Sequence, residues 1–392
     1  MKNTIKNKIL LSIISVFCSL CFLSCDDDYG YTYGDDVLTK PLYKIDWYSV
    51  ADSSVHSLNR FLKPEGYFVY RPDGMQDDFH YWHQAHVLDV LVDAYLRTTD
   101  TEQKGHYVTM MDNWYTGVKA QNNRPDFENW YIDDMEWIGL ATLRAYQATG
   151  DTKFLDVAKH MWERVELAWD ETYFGGGLFW TEDRTSKNAC SNGPGALLAL
   201  NLYKETQIES YKEWGIKVYG WLRSYLYDTT TGAVYDNIKI SGAIDKVALS
   251  YNQGTFMGSA LALYEITGKE QYLVDAKKAC GYTLGNLSDN SNNLLRDEGS
   301  FENALFRGVF IRNLHDMINE TDIDASTRTY YRLCLDRYAQ SLWRYAKVIY
   351  IGDPMFSRIW DTPPAEISDY TLPQQLTACI MMEMKYLVEN NK

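Results

Sequence analysis

Ala145-Tyr146-Gln147-Ala148-Thr149-Gly150-Asp151-Thr152-Lys153-Phe154-Leu155 aligns without a gap on Leu263-Tyr264-Glu265-Ile266-Thr267-Gly268-Lys269-Glu270-Gln271-Tyr272-Leu273, and at the same offset Ala158 falls on Ala276. Leu202-Tyr203-Lys204-Glu205-Thr206, with Tyr211 in the place of Phe154, is a third copy, and Ala94-Tyr95-Leu96-Arg97-Thr98 is a weaker fourth. The copies recur every 51 to 61 residues. A period of that size marks a repeated supersecondary unit, here a helix, a tight turn and a second helix.

The two helices of a copy differ in kind. Gly195-Ala196-Leu197-Leu198-Ala199-Leu200 and Gly258-Ser259-Ala260-Leu261-Ala262-Leu263 are small and apolar nearly all round, which suits a helix enclosed by neighbours. The second helix is amphipathic: Phe154, Ala158, Met161, Val165 and Ala168 share a stripe, with Lys153, Asp156, Lys159, Glu163 and Glu166 elsewhere. The same reading along the chain predicts inner helices starting near residues 81, 132, 191, 251, 302 and 371. Outer helices are predicted near 48, 101, 151, 208, 269 and 325. Six such hairpins close into an all-α (α/α)6 toroid, because an open array would leave apolar end faces needing caps.

Connection lengths then place a site. Inner-to-outer turns are short, as at Gly150-Asp151 and Gly268-Lys269, whereas outer-to-inner connections at 64–80, 170–190, 229–249, 288–300 and 351–368 are long. Long loops usually carry function. All of these lie at one end, where the inner helices begin, and this end is the expected mouth.

At the mouth, Tyr131-Ile132-Asp133-Asp134-Met135-Glu136-Trp137 opens an inner helix with two adjacent carboxylates. Acids are favoured in a first helical turn, so simple capping is one reading. Hydrolysis of a glycosidic bond is the other, since it needs two carboxylates, about 5–5.5 Å apart in retaining and about 6.5–9.5 Å apart in inverting enzymes. Adjacent helical residues reach about 5–6 Å, which favours retention. Close like charges also raise the pKa of one member, so that one serves as acid while the other stays ionised. The neighbouring inner-helix starts add Trp82 and His86, Asn192, Tyr251, Asn252 and Gln253, and Arg307, and the loop before the third adds Trp180. These eight are the expected substrate-binding residues. Carboxylates, amides and aromatic faces together describe a sugar cleft. His80, His83 and His86, spaced by three, spread over about 120° of a helix, so no metal and no cofactor is assigned.

Composition agrees. Aromatic residues make up 15% of the chain, with 31 Tyr and 12 Trp, as suits sugar stacking. Lys2, Lys6 and Lys8 precede the apolar run from Ile9 to Leu23, which reads as a secretory signal over residues 1–24. Its end resembles a bacterial lipobox, with Cys25 as the acylated residue, followed by Asp26-Asp27-Asp28 and a polar tether to about residue 44. Removing residues 1–24 takes away three lysines and no acid, moving the net charge from −15 to −18. Nucleic acid is thereby excluded as a partner, since phosphate binding needs a basic face. Cys190, Cys280, Cys334 and Cys379 are widely spaced and suggest no zinc ribbon. The expected catalytic domain is residues 45–392, a monomer.

Asp133-Asp134-Met135-Glu136-Trp137, Gly175-Gly176-Gly177-Leu178-Phe179-Trp180, Ser191-Asn192-Gly193-Pro194 and Tyr251-Asn252-Gln253-Gly254-Thr255-Phe256 together resemble glycoside hydrolase family 76, the endo-α-1,6-mannanases. The resemblance spans roughly residues 45–390. It implies an (α/α)6 barrel and retaining endo-hydrolysis of α-1,6-mannan or manno-oligosaccharides, with Asp133 as nucleophile and Asp134 as general acid/base. The acidic run after Cys25 resembles the export signal of Bacteroidota surface lipoproteins, which implies an outer-membrane anchor facing the cell exterior. A non-catalytic helical glycan-binding lipoprotein would share the aromatic cleft but would not need the two carboxylates.

Overall fold

The computed structural model describes residues 44–390, so the predicted signal peptide, Cys25 and nearly all of the tether lie outside the described residues. Outer helices α1 (Trp47–His56), α3 (Thr101–Gln121), α5 (Thr152–Val165), α7 (Glu209–Tyr225), α9 (Glu270–Asn286) and α11 (Ala325–Tyr345) alternate with inner helices. The inner set is α2 (Tyr81–Arg97), α4 (Ile132–Thr149), α6 (Ala189–Thr206), α8 (Ser250–Thr267), α10 (Phe306–Asn319) and α12 (Leu372–Glu389). Each inner helix packs on the next, and α12 packs on both α2 and α1, which closes the ring as an (α/α)6 toroid. Among the described residues no helix is long and apolar enough to cross a membrane.

Local chemistry sets these boundaries. Asp46, Asp100, Asp151 and Asp324 cap α1, α3, α5 and α11, each side chain accepting a backbone N–H of the first turn. Gly150 and Gly268 end α4 and α8 in the left-handed conformation, φ 75° and 66°. The third repeat has Gln207 at that place, φ 59°. Its side-chain amide compensates by donating to the Tyr203 and Lys204 carbonyls at the helix end. The fifth inner helix starts later than predicted: Phe301–Leu305 is a 3-10 turn and the α-helix begins at Phe306.

The α5 stripe predicted to be apolar is buried in full, at Phe154, Ala158, Met161, Val165 and Ala168. Burying each large member stabilises by about 1.5–3 kcal/mol. Inner helices approach closely where small residues meet. A Cβ at Gly254 would come within 2.9 Å of the Phe310 Cα on the next helix. The lower core is ionic: Asp93 is buried and binds Arg144 Nη2 at 2.6 Å and Arg312 Nη2 at 2.7 Å, joining α2, α4 and α10 across the ring.

Two small sheets were not legible in the helical periodicity. Strands β1 (Ser186–Asn188), β2 (Asn237–Lys239) and β3 (Ile244–Asp245) form an antiparallel sheet in that order, pairing Lys187 with Ile238 and Ile238 with Ile244. This sheet fastens the 170–190 and 229–249 loops to each other at the mouth. Strands β4 (Lys347–Tyr350) and β5 (Asp353–Phe356) form a hairpin. Cys190, Cys280, Cys334 and Cys379 are all free and buried, with no disulfide among the described residues.

Candidate active site

Asp133 and Asp134 stand in the first turn of α4, partly exposed at the mouth, and their surroundings are unequal. Asp133 Oδ2 accepts the Trp180 indole N–H at 3.2 Å, and Oδ1 accepts the Asp134 backbone N–H at 3.1 Å. The Cys190 thiol also donates to it, while accepting the Tyr251 hydroxyl proton. Burial raises the Asp133 pKa to about 6, the donors holding it from rising further. Asp134 has no such support. Burial, then the charge of Asp133 and then that of Glu302, push it well above the usual carboxylate range. The N-cap residue Tyr131 makes no side-chain cap, the first-turn acids meet the free N–H groups only through Asp133, and desolvation outweighs the favourable helix dipole.

One turn on, Glu136 is fully buried, and burial followed by the Asp133 charge raises its pKa well above its ordinary value. It lies against Gly195 of α6, where a Cβ would approach its Oε1 to 2.8 Å.

The glycine-rich loop is built to hold Trp180. Gly176 and Gly177 have φ 151° and 95°, and a Cβ on either would fall 2.4–2.5 Å from the Trp169 or Trp221 ring. Buried Lys187 donates to the Tyr173 carbonyl at 2.8 Å and to those of Asp170 and Gly176, closing the loop from beneath.

Several residues expected to bind substrate are scaffold instead. Asn192 is buried; its Oδ1 accepts Leu178 N–H at 2.8 Å and its Nδ2 donates to the Leu178 and Asn188 carbonyls. Gln253 is buried, accepting the Val234 N–H and donating to Gly232 and Ala279 carbonyls. Asn252 is buried too and donates to Asp236 Oδ1 at 3.1 Å. Arg307 reaches neither Asp133 nor the cleft. It binds the Leu295 and Arg358 carbonyls under the Trp360 ring, and burial lowers its pKa to about 10. His86 lies beneath the cleft floor, its ring 5.3 Å from Trp82 and 5.2 Å from Trp137, and burial lowers its pKa to about 3. It borders a separate cavity of about 890 Å³ at the opposite end of the ring, among Arg144, Asn201, Glu265 and Arg312, away from the carboxylates. Asn192, Gln253 and Arg307 thus satisfy backbone groups, most of them in the long loops, that would otherwise be left unpaired.

Trp82, Trp180 and Tyr251 do stand at the mouth. Trp82 is half-buried and donates its indole N–H to Glu302; Tyr251 stacks on Phe306 with centroids 3.9 Å apart. Sequence reasoning missed Cys190, Asp236 and Glu302. Asp236, held by Asn252 and Asn237, has its pKa raised by burial and faces Cys190 and Tyr251. None had a local signal, since Asp236 and Glu302 come from loops far along the chain. Trp130 and Tyr131 were legible as aromatics directly before the aspartates; they are about two-fifths exposed, and Tyr131 packs on Trp180 at 5.2 Å.

This fold has close counterparts. The GH76A α-1,6-mannanase of Salegentibacter sp. HEL1_6 is 34% identical, with TM-score 0.81 over 88% of this chain and 100% of that one. A variant of that enzyme described as inactive, with two consecutive aspartates changed to alanine and α-1,6-mannotetrose bound, matches at 33% identity, TM-score 0.82 and the same coverage. A mannan endo-1,6-alpha-mannosidase of Saccharomyces cerevisiae is 28% identical over 162 residues, 37% of this chain and 36% of that protein. The alignment thus spans about a third of the length of that curated relative. The sequence profile of glycosyl hydrolase family 76 matches residues 47–392, and the chain belongs to that family.

Proposed function

We propose that this chain is a retaining endo-α-1,6-mannanase in which Asp133 is the nucleophile and Asp134 the general acid/base. The observation that carries the reading is the unequal environment of two adjacent carboxylates. Asp133, with three hydrogen-bond donors and a pKa near 6, is ionised at neutral pH; Asp134, unsupported and pushed higher, keeps its proton. Asp133 attacks the anomeric carbon while Asp134 protonates the departing glycosidic oxygen, leaving a mannosyl ester on Asp133. Asp134 then takes a proton from water, which displaces Asp133 and restores the anomeric configuration. Trp82, Trp180, Tyr131 and Trp130 supply faces for sugar rings along the cleft. The steps as proposed use side chains of one chain, and a monomer is the proposed acting form. The Salegentibacter relative supports the substrate, since its inactive aspartate variants are described with α-1,6-mannotriose and mannotetrose.

Purified protein with linear α-1,6-mannan is expected to release reducing ends with a steep early loss of viscosity, and proton NMR is expected to show α-configured products first. Tight binding with the polymer left intact would instead establish the glycan-binding alternative. The chain is further proposed to be an outer-membrane lipoprotein exposed at the cell surface, anchored at Cys25. Cys25→Ala is expected to move the protein from membrane to soluble fractions and abolish labelling by a palmitate analogue; unchanged labelling would overturn the anchor.

A further inference from the structure

His80, His83 and His86 do not share one fate. His80 stands just before α2 with extended backbone, φ −114° and ψ 118°, so it leaves the helical spacing and its ring turns toward that of His83, 5.2 Å between centroids. Glu302 meets them from the 3-10 turn before α10, a turn that opens at Phe301 with φ 61°. Its Oε1 is 2.9 Å from His80 Nδ1, and its Oε2 is 2.8 Å from His83 Nε2. The three donor atoms lie within 4.8 Å of one another.

A hydrogen-bonded account of this cluster is incomplete at His83. The ring is fully buried; its Nδ1 has no hydrogen-bond partner among the described residues, and its Nε2 meets Glu302 Oε2 at 2.8 Å in a poorly aligned contact. Leaving buried polar atoms unmatched is destabilising. A cation on the Nε2 lone-pair axis explains the poor alignment, because tetrahedral ligand angles put a neighbouring carboxylate oxygen off that axis. The Trp82 indole N–H on Glu302 is the kind of outer hydrogen bond that orients a ligating carboxylate.

We propose that His80 Nδ1, His83 Nε2 and the Glu302 carboxylate bind one divalent transition metal of the zinc class at the edge of the cleft. Two imidazoles and one carboxylate select zinc over magnesium or calcium, which take oxygen donors. The metal joins the start of α2 to the turn before α10, across α12, which stands between them in the ring. It therefore clamps the mouth and fixes Trp82; the two-carboxylate reaction does not pass through it, and the proposal does not depend on the substrate.

The test uses the full chain without a histidine tag, stripped with a chelator and desalted. Calorimetric titration with zinc is expected to give one saturable site, a raised Tm by mass action, and no response to magnesium or calcium. His80→Gln and Glu302→Gln are each expected to weaken zinc binding by more than the ~10-fold that loss of an outer partner alone can cost. Absence of saturable zinc binding by the parent protein, or full-strength binding by both variants, would overturn the site. If the variants do not fold, copper-loaded parent protein decides: spin-echo modulation from two imidazoles supports the assignment, and modulation from fewer rejects it.

Discussion

Asp133→Asn is expected to lower kcat on linear α-1,6-mannan by at least ~10⁴-fold, because no other group can form the ester. Asp134→Asn is expected to cost ~10²–10⁴-fold on the polymer, the usual worth of a general acid. The two separate on a substrate whose leaving group needs no proton, such as a dinitrophenyl manno-oligosaccharide: Asp134→Asn then forms the ester at near-parent rate, and Asp133→Asn stays inactive. The pH profile gives an independent check. With the Asp133 pKa at about 6, kcat/KM rises as pH passes through 6 and falls at higher pH as Asp134 loses its proton. Asp134→Asn is expected to keep the acid limb and lose the alkaline one.

The same shifts predict stability, with a definite sign. Both carboxylates have folded pKa values above their unfolded ones, so the native state holds more protons, and stability falls as pH rises from about 4 through those values. Either Asn variant removes that cost and is expected to raise Tm at pH 7 by ~1–3 °C. Loss of activity together with a lowered Tm would mean damage to the fold and would remove the support for these roles.

Arg97→Ala is expected to destabilise the protein by ~3–5 kcal/mol, the cost of stranding a buried charge, against a total stability of ~5–15 kcal/mol. Arg97 is buried at the end of α2. Its Nε lies 3.0 Å from Glu383 Oε1 on α12, its Nη2 lies 3.0 Å from Asp52 Oδ1 on α1, and its guanidinium covers the Tyr48 ring at 4.7 Å. It therefore ties the seam at which the last inner helix meets the first hairpin. Glu383 is completely buried and has no exit to solvent once Arg97 is gone. Arg97→Met with Glu383→Leu is expected to recover most of the loss, since an apolar pair needs no desolvation. Urea unfolding measures both; a loss below ~1 kcal/mol for the single variant would show that the seam does not depend on the pair. Because Arg97 sits at the end of α2 away from the mouth, the folded fraction is expected to keep its kcat.

How far the sequence reads depends on the range of the physics involved. Helix number, alternation and starts were legible from Gly150, Gly268 and the Phe154–Ala168 stripe, because periodicity and turn preference act over a few residues. The start of α10 was not, because Phe301–Leu305 tightens into a 3-10 turn that no apolar spacing marks. Asp133 and Asp134 were legible because their adjacency on one helix is a property of the chain.

The sequence by itself thus determined the toroid, the end at which its mouth lies and the carboxylate pair within it. Only the tertiary structure decided what surrounds the pair. Asn192, Asn252, Gln253 and Arg307 have the chemistry of sugar ligands, but an amide or guanidinium serves a backbone carbonyl, or for Asn252 the Asp236 carboxylate, equally well, and ring packing turned these toward the loops. Cys190 and Glu302 carried no signal, yet one donates to Asp133 and the other charges the side of Asp134. Their effect travels through space between loops over a hundred residues apart or on different hairpins, a proximity that local preference does not encode and that closure of the ring creates.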